Sequence, residues 1–226
     1  MVGDAPAEIA HAELGAAIDA VVALCSRGEH AAEVLRAKTE LEARQGQLFE
    51  DDALYEPRMS AFLEWYAVER PLSAQVPGAG AAPVLWARTQ GLPGVADDML
   101  AALAGSQRSL FRMLETRPAS VLLEDLIGGG LWEVDERRRI AGLGEGDLFE
   151  ARLYGVRGRV VFGRDFLTHP LEAEAAIVEL CTRAGRGDAA ARLAACDKLA
   201  ALRVKAERYR NLPAARLYAG EAGTWR

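Results

Sequence analysis

Between residues 109 and 166 apolar and polar positions alternate with a period of two, and on both sides of that stretch apolar positions recur at helical spacing. Five runs in the central stretch read as strands: 109–115, 120–126, 131–135, 147–154 and 159–163. In the fourth, Phe149, Ala151 and Leu153 face one way and Glu150, Arg152 and Tyr154 the other. Successive side chains of a strand point to opposite faces, so this alternation predicts a sheet with one wet face. Val121-Leu122-Leu123 is apolar on both faces and predicts a central strand. The breaks are turn chemistry: Arg117-Pro118, Gly128-Gly129-Gly130, Gly144-Glu145-Gly146-Asp147 and the tight Gly155-Val156-Arg157-Gly158. No helix-length segment separates the runs, which predicts a small antiparallel sheet or barrel and argues against βαβ units.

The flanking pattern is helical. A first helix, capped by Asp4 with Pro6 in its first turn, carries Leu14, Ile18, Val21, Val22 and Cys25 on one face and ends at Gly28. A second, from about residue 29 to 45, stops at Gly46, and the two form a helical hairpin. Glu50, Asp51 and Asp52 begin a third, where carboxylates suit the positive end of the helix dipole. It holds the densest aromatic cluster of the chain: Tyr55, Phe62, Trp65 and Tyr66, with Met59 and Leu63. That stripe is expected to be core packed on the sheet, the alternative being a partner groove. Residues 73–83, with Pro77, Gly78, Gly80 and Pro83, read as a linker or mobile loop. Short helices are expected at 84–90 and 95–104. Beyond the sheet, 171–184 is amphipathic through Leu171, Val178 and Cys181. Asp188 then caps a helix to about residue 209 with Leu193, Cys196, Leu199 and Leu202 on one side. The tail from 211 to 226 contains Tyr218 and Trp225 without a clear period. The expected fold class is therefore α+β: a mainly helical region over 1–107, a small antiparallel β module over 108–168, and C-terminal helices with a tail over 169–226.

Charge adds one long-range expectation. From Glu29 to Glu56 there are eight acidic residues against three basic, and from Lys198 to Arg216 six basic against one acidic. The C-terminal basic helix is expected to lie against the acidic N-terminal helices, or against the same surface of a second copy. Exposed ion pairs contribute only about 0–1 kcal/mol each, so apolar faces around Leu193, Leu199 and Val34 must meet as well.

Candidate chemistry changes the picture little. The formal net charge of −6 argues against general nucleic-acid binding, which needs a basic face. Cys25, Cys181 and Cys196 form no CxxC pair and sit among apolar neighbours, as buried free thiols do. Their odd number, with no basic-then-apolar leader at the N-terminus, points to a reducing cytoplasm. No apolar run approaches the ~20 residues that span a bilayer. His11, His30 and His169 are scattered. His169, before Pro170 and near Asp165, is expected to pack or cap at a junction and not to polarise a water. No GxSxG elbow or phosphate loop is present, since Gly142-Leu143-Gly144-Glu145-Gly146 lacks the Lys-Ser/Thr and precedes a strand. No catalytic residue, cofactor or metal site is expected, and the chain is not expected to be an enzyme.

One order of residues carries a resemblance. Phe62-Leu63-Glu64-Trp65-Tyr66, a Pro-ended helix, 110–115, Asp125-Leu126-Ile127-Gly128-Gly129 and Leu143-Gly144-Glu145-Gly146-Asp147-Leu148 resemble a group of uncharacterised bacterial cytoplasmic proteins, some carrying a SEC-C zinc-binding tail. The likeness covers about 54 to 177 and implies a helical segment followed by a small β module. The C-terminus lacks the clustered Cys and His of the zinc tail, so no metal site is carried over.

The expected function is a non-catalytic protein–protein interaction or regulatory role, with a protein partner or a second copy of the chain, and no membrane. The interaction surface is expected among Arg137, Arg138, Arg139, Arg203, Lys205, Arg208 and Trp225. The alternative is a nucleic-acid- or ribosome-associated module in which Arg137, Arg138, Arg139, Arg157 and Arg159 flank Tyr154 or Phe162 as a stacking surface. Exposed aromatics among those arginines favour the second, buried ones the first.

Overall fold

The computed structural model describes the backbone of residues 5–136, 142–164, 166–185 and 188–222. Strand β4 (Leu148–Val156) runs through the middle. On one side it pairs with β1 (Gln107–Thr116); on the other it pairs with β6 (Leu167–His169) along its first half and β5 (Arg159–Phe162) along its second. β2 (Ser120–Asp125) and β3 (Leu131–Asp135) continue beyond β1, giving the order β3-β2-β1-β4-β5 with every pairing antiparallel. The sheet curls into a half-barrel until β3 approaches β5, where Arg159 Nη1 donates to Asp135 Oδ2 at 2.7 Å. Helices α1 (Ala5–Leu24), α2 (Glu33–Gln45), α3 (Tyr55–Val68), α4 (Pro83–Gln90) and α5 (Asp97–Ala104) precede the sheet, and α6 (Glu174–Ala184), α7 (Ala189–Arg208) and α8 (Ala214–Ala222) follow it. The class is α+β, as the patterning indicates. No helix among the described residues is long and apolar enough to cross a membrane.

The inner face of the half-barrel is apolar: Phe111, Met113, Leu123, Phe149, Leu153 and Phe162 close on one another. The other face does not meet water. Every position of β4 except Gly155 is buried, so the expectation of one wet face is wrong. Helices cover that face in two apolar patches. Tyr154, Val156 and Val161 pack with α1, α4 and α5 through Leu14, Ile18, Val84 and Leu103. Leu110 and Leu148 pack with α6, α7 and α8 through Ile177, Cys196, Leu199 and Tyr218. Glu150 and Arg152 lie between these patches, buried with their charges paired.

Several elements differ from the sequence expectation for local reasons. Gly28, at φ +55°, opens a 3-10 turn (Gly28–His30) instead of closing α1, and α2 starts after it. Residues 50–54 form a turn, so α3 begins at Tyr55. Phe62, Trp65 and Tyr66 are all buried, with Tyr66 Oη donating to the Cys25 carbonyl. Residues 73–83 are no linker: Leu72 and Val76 are buried beneath α2 and α3, and His30 Nε2 bonds the Pro77 carbonyl at 2.8 Å. Leu171 is exposed in a second 3-10 turn (Leu171–Ala173), and the buried face of α6 is Ile177, Leu180 and Cys181. Asp188 caps α7, its Oδ1 accepting from Ala190 N at 2.9 Å and Ala191 N at 3.2 Å. The tail, without period in the sequence, forms α8, held because buried Tyr218 bonds His169 Nδ1 of β6 at 2.9 Å. Asp4 and Asp165 lie outside the described residues.

At the β4–β5 turn Arg157 and Gly158 both have positive φ, the type I′ geometry that matches strand twist. Gly163, just after β5, is needed for close approach instead. A Cβ there would stand 2.6 Å from Glu64 Oε1, which reaches in from α3 and accepts from Arg164 N at 2.8 Å. Gly163→Ala is expected to cost about 1–3 kcal/mol by overpacking, with Gly155→Ala, whose Cβ meets nothing, within about 0.5 kcal/mol of wild type. Urea denaturation of the two variants reads the difference. Trp65→Ala, opening a cavity under α2 and α3, is expected to cost about 3–5 kcal/mol, measured the same way.

Candidate functional site: a groove over a buried ionic band

The site begins with two arginines that strand pairing forces together. Arg108 of β1 and Arg152 of β4 are directly opposite in register, on the helix-covered face. Like charges in that position repel and both are desolvated, so each requires carboxylates within bonding distance. Arg108 Nε donates to Glu150 Oε1 at 2.7 Å and its Nη1 to Asp197 Oδ1 of α7 at 3.0 Å. Arg152 pairs with two carboxylates of the α3 end: Glu69 directly, and Glu64 with 3.7 Å between Nε and Oε2. Its Nη1 also donates to Ser106 Oγ at 3.1 Å. Burial pushes the Glu64 and Glu150 carboxyls above the ordinary range, with the neighbouring arginines opposing that shift.

Two members of this band also line an open groove of about 1120 Å³ between α2, the end of α3 and α7. Glu69 and Asp197 lie in its floor beside Trp65; Ala43 and Arg44 form the α2 wall, and Leu193, Ala194, Ala201, Lys198 and Lys205 the α7 wall. Arg44 Nη1 bridges the floor to Asp197 Oδ2 at 2.8 Å, with its guanidinium 4.5 Å from the Trp65 ring centroid. Gln45 Nε2 reaches Asp197 Oδ1 at 2.7 Å, so one carboxylate ties α2, α7 and β1 together.

The α2 wall is anchored from behind. Arg70 holds Glu40 by two bonds, Nε–Oε2 at 2.8 Å and Nη2–Oε1 at 2.7 Å, and donates to Glu33 Oε2 at 2.6 Å. Glu33 accepts further bonds from Arg36, Ser73 N and Ser73 Oγ. Burial alone would raise its carboxyl, but these donors outweigh burial and hold it at about 2.

The expected surface residues separate. Lys205 lines the groove. Arg203 faces β6, donating from Nε to the Thr168 carbonyl at 2.8 Å and pairing with Glu207 at 3.0 Å. Arg208 lies over Phe49, 4.8 Å from its centroid, and reaches Asp52 Oδ2 at 2.7 Å. Arg137, Arg138, Arg139 and Trp225 lie outside the described residues. Arg44, Glu69 and Asp197 were not picked out from sequence. A usable signal was the arginine at each of two facing strand positions, which demands carboxylates from elsewhere. The acidic and basic terminal helices do dock, but one of the pairs that joins them runs opposite to the charge counts: α2 supplies the arginine and α7 the aspartate.

Other reactive groups are withdrawn from solvent. Burial pushes the Cys25 and Cys181 thiols up to about 12 and raises the Cys196 thiol well above its ordinary value. His169 falls to about 3, mainly through burial with Arg203 nearby adding to it. Among the described residues no three His, Cys, Asp or Glu side chains are grouped to hold a metal ion. Protein-family models, curated proteins and solved structures give no match to this chain.

The Glu33 cluster has a pH signature. A carboxyl held near 2 when folded and at about 4.5 when unfolded stabilises the protein fully above pH ~4.5, and that contribution is lost as pH falls toward 2. Wild type is expected to lose up to about 3 kcal/mol across that window relative to Glu33→Gln, whose stability curve should be flatter there. Urea denaturation at stepped pH reads this.

Proposed function

We propose that this chain is a non-catalytic interaction or regulatory protein that binds a protein partner in the groove between α2 and α7. The observation that carries this is the groove itself. It is larger than the roughly 300–1,000 Å³ usual for small-molecule pockets, and it combines an aromatic floor, small apolar walls and charged rims. Its carboxylates are engaged with arginines of the protein, which suits a fixed recognition surface better than proton transfer. The buried thiols and the imidazole of His169, held away from reactive pKa values, support the same reading. A reducing cytoplasm, in a bacterium, belongs to this proposal, supported by three buried free cysteines and the resemblance carried by residues 54 to 177.

The nucleic-acid alternative draws less support. Its stacking candidates Tyr154 and Phe162 are buried. Arg157 is paired with Glu13 at 2.9 Å and Asp98 at 3.0 Å, and Arg159 with Asp135.

Ala43→Trp and Ala194→Trp, both at exposed positions of the groove walls, test the proposal. Each is expected to abolish capture of a stoichiometric partner from native lysate while leaving the melting temperature unchanged. Arg117→Ala, at the β1–β2 turn and outside the groove lining, should leave capture intact. Capture that survives both tryptophans sinks the groove as the binding surface.

A further inference from the structure

We propose that a small cleft beneath α3 is a binding site for one structural water, held by a carboxylate oxygen of Glu150 and shared between the two arginine–carboxylate pairs of the buried band. The cleft is separate from the groove and has no lining residue in common with it. Pro57 and Ala61, one turn apart on α3, line it together with Leu167 of β6, and Ala61 is exposed, so solvent reaches it there. Glu64, Arg108, Glu150 and Arg152, all buried, supply its polar lining.

Two observations carry the proposal. The first is an oxygen without a partner. Glu150 is 5% exposed. Its Oε1 accepts from Arg108 Nε at 2.7 Å, whereas its Oε2 is buried and receives no hydrogen bond from the protein. A carboxylate oxygen in that position has lost its hydration with nothing in exchange, and an ordered water is the usual partner of such a group. The second is a contact too long to be a hydrogen bond: Arg152 Nε stands 3.7 Å from Glu64 Oε2. Polar groups held at that distance are commonly completed by a water. Size and charge select the same guest. The cleft has about 20 Å³, and a water requires about 10–15 Å³, so one fits and a larger molecule does not. The two arginines and two glutamates that line it cancel in charge, which suits a neutral guest and disfavours an ion of either sign. Water donates two hydrogens and accepts two. It can give one hydrogen to Glu150 Oε2 and one to Glu64 while accepting from a guanidinium N–H. Burial raises both carboxyls, and a hydrogen from the water restores part of the hydration that each has lost. The bound water joins the Arg108–Glu150 pair to the Arg152–Glu64 pair, and so ties α3 to β4 through one network.

A crystal structure of the full chain, at a resolution that shows ordered solvent, tests this. One full-occupancy water is expected within about 3.2 Å of Glu150 Oε2 and within the same distance of Glu64 or Arg152. Oxygen-17 relaxation dispersion counts long-lived waters in solution. Glu150→Met, similar in length and without a carboxylate, is expected to lose one such water relative to wild type. Glu150→Gln, which keeps a polar end, is expected to lose none. If Glu150→Met does not fold, the wild-type density decides by itself. Density without a water at Glu150 Oε2, a protein donor turned onto that oxygen, or a peak with the scattering of an ion overturns the proposal. So does an equal count of long-lived waters in wild type and folded Glu150→Met.

Discussion

Two arginines facing each other across the β1–β4 pairing set the arrangement of most of this molecule. Arg108 and Arg152 stand opposite one another on a face that helices seal from water. Alone, the pair would destabilise both the pairing and the packing above it, because each charge loses its hydration and faces its like. The chain answers with carboxylates from three elements: Glu150 of β4, Glu64 and Glu69 at the end of α3, and Asp197 of α7. Each reaches its arginine only if its element lies at one depth and angle over the sheet. A one-residue slip of β4 would turn Glu150 and Arg152 toward the apolar interior among Phe111, Phe149 and Phe162, so the same charges also fix register. Buried ion pairs add little net stability against apolar replacements of equal volume, and their larger effect here is to exclude other ways of docking α3 and α7.

The band also explains why the helix side of the sheet has two apolar patches. Tyr154, Val156 and Val161 anchor the N-terminal helices, while Leu110 and Leu148 anchor the C-terminal ones. The charged strip runs between them and comes to the surface where Glu69 and Asp197 form the groove floor. The groove is thus the solvent edge of the structural network. A change at its floor acts on the sheet through Arg108 and Arg152, while a change on the outer walls leaves the sheet alone.

Much of this fold was legible in the chain, and the misses share a cause. The period of two located five strands, because turn residues separated them cleanly. The sixth, Leu167–His169, is three residues long and too short for any period to register. α8 escaped because four of its nine residues are Ala and its large buried side chain is Tyr218, with only the small Ala214 buried beside it among the described side chains. The alternation in β4 gave the strand correctly and its environment wrongly. Glu150, Arg152 and Tyr154 read as solvent-facing, since charge pairing between distant segments leaves no mark on local periodicity. The charge blocks at the two ends did foretell that α7 would meet α2. They could not tell that a single Asp197, against the net sign of its helix, would receive Arg44, Gln45 and Arg108.

The groove's floor and its α2 wall are held by ordered side chains. Its α2 wall is fixed by Arg70, which grips Glu40 and Glu33, and by the donors of Ser73 that lock Glu33 in turn. Its floor is fixed by Trp65 beneath Arg44 and by the shared Asp197. Under the proposed function, side chains already ordered would lose little further entropy on binding, so apolar contact along Ala43, Trp65, Leu193 and Ala201 would convert into affinity with small loss. The order of the floor follows from the sheet upward, because the requirement to neutralise Arg108 and Arg152 fixes Asp197 and Glu69 in place.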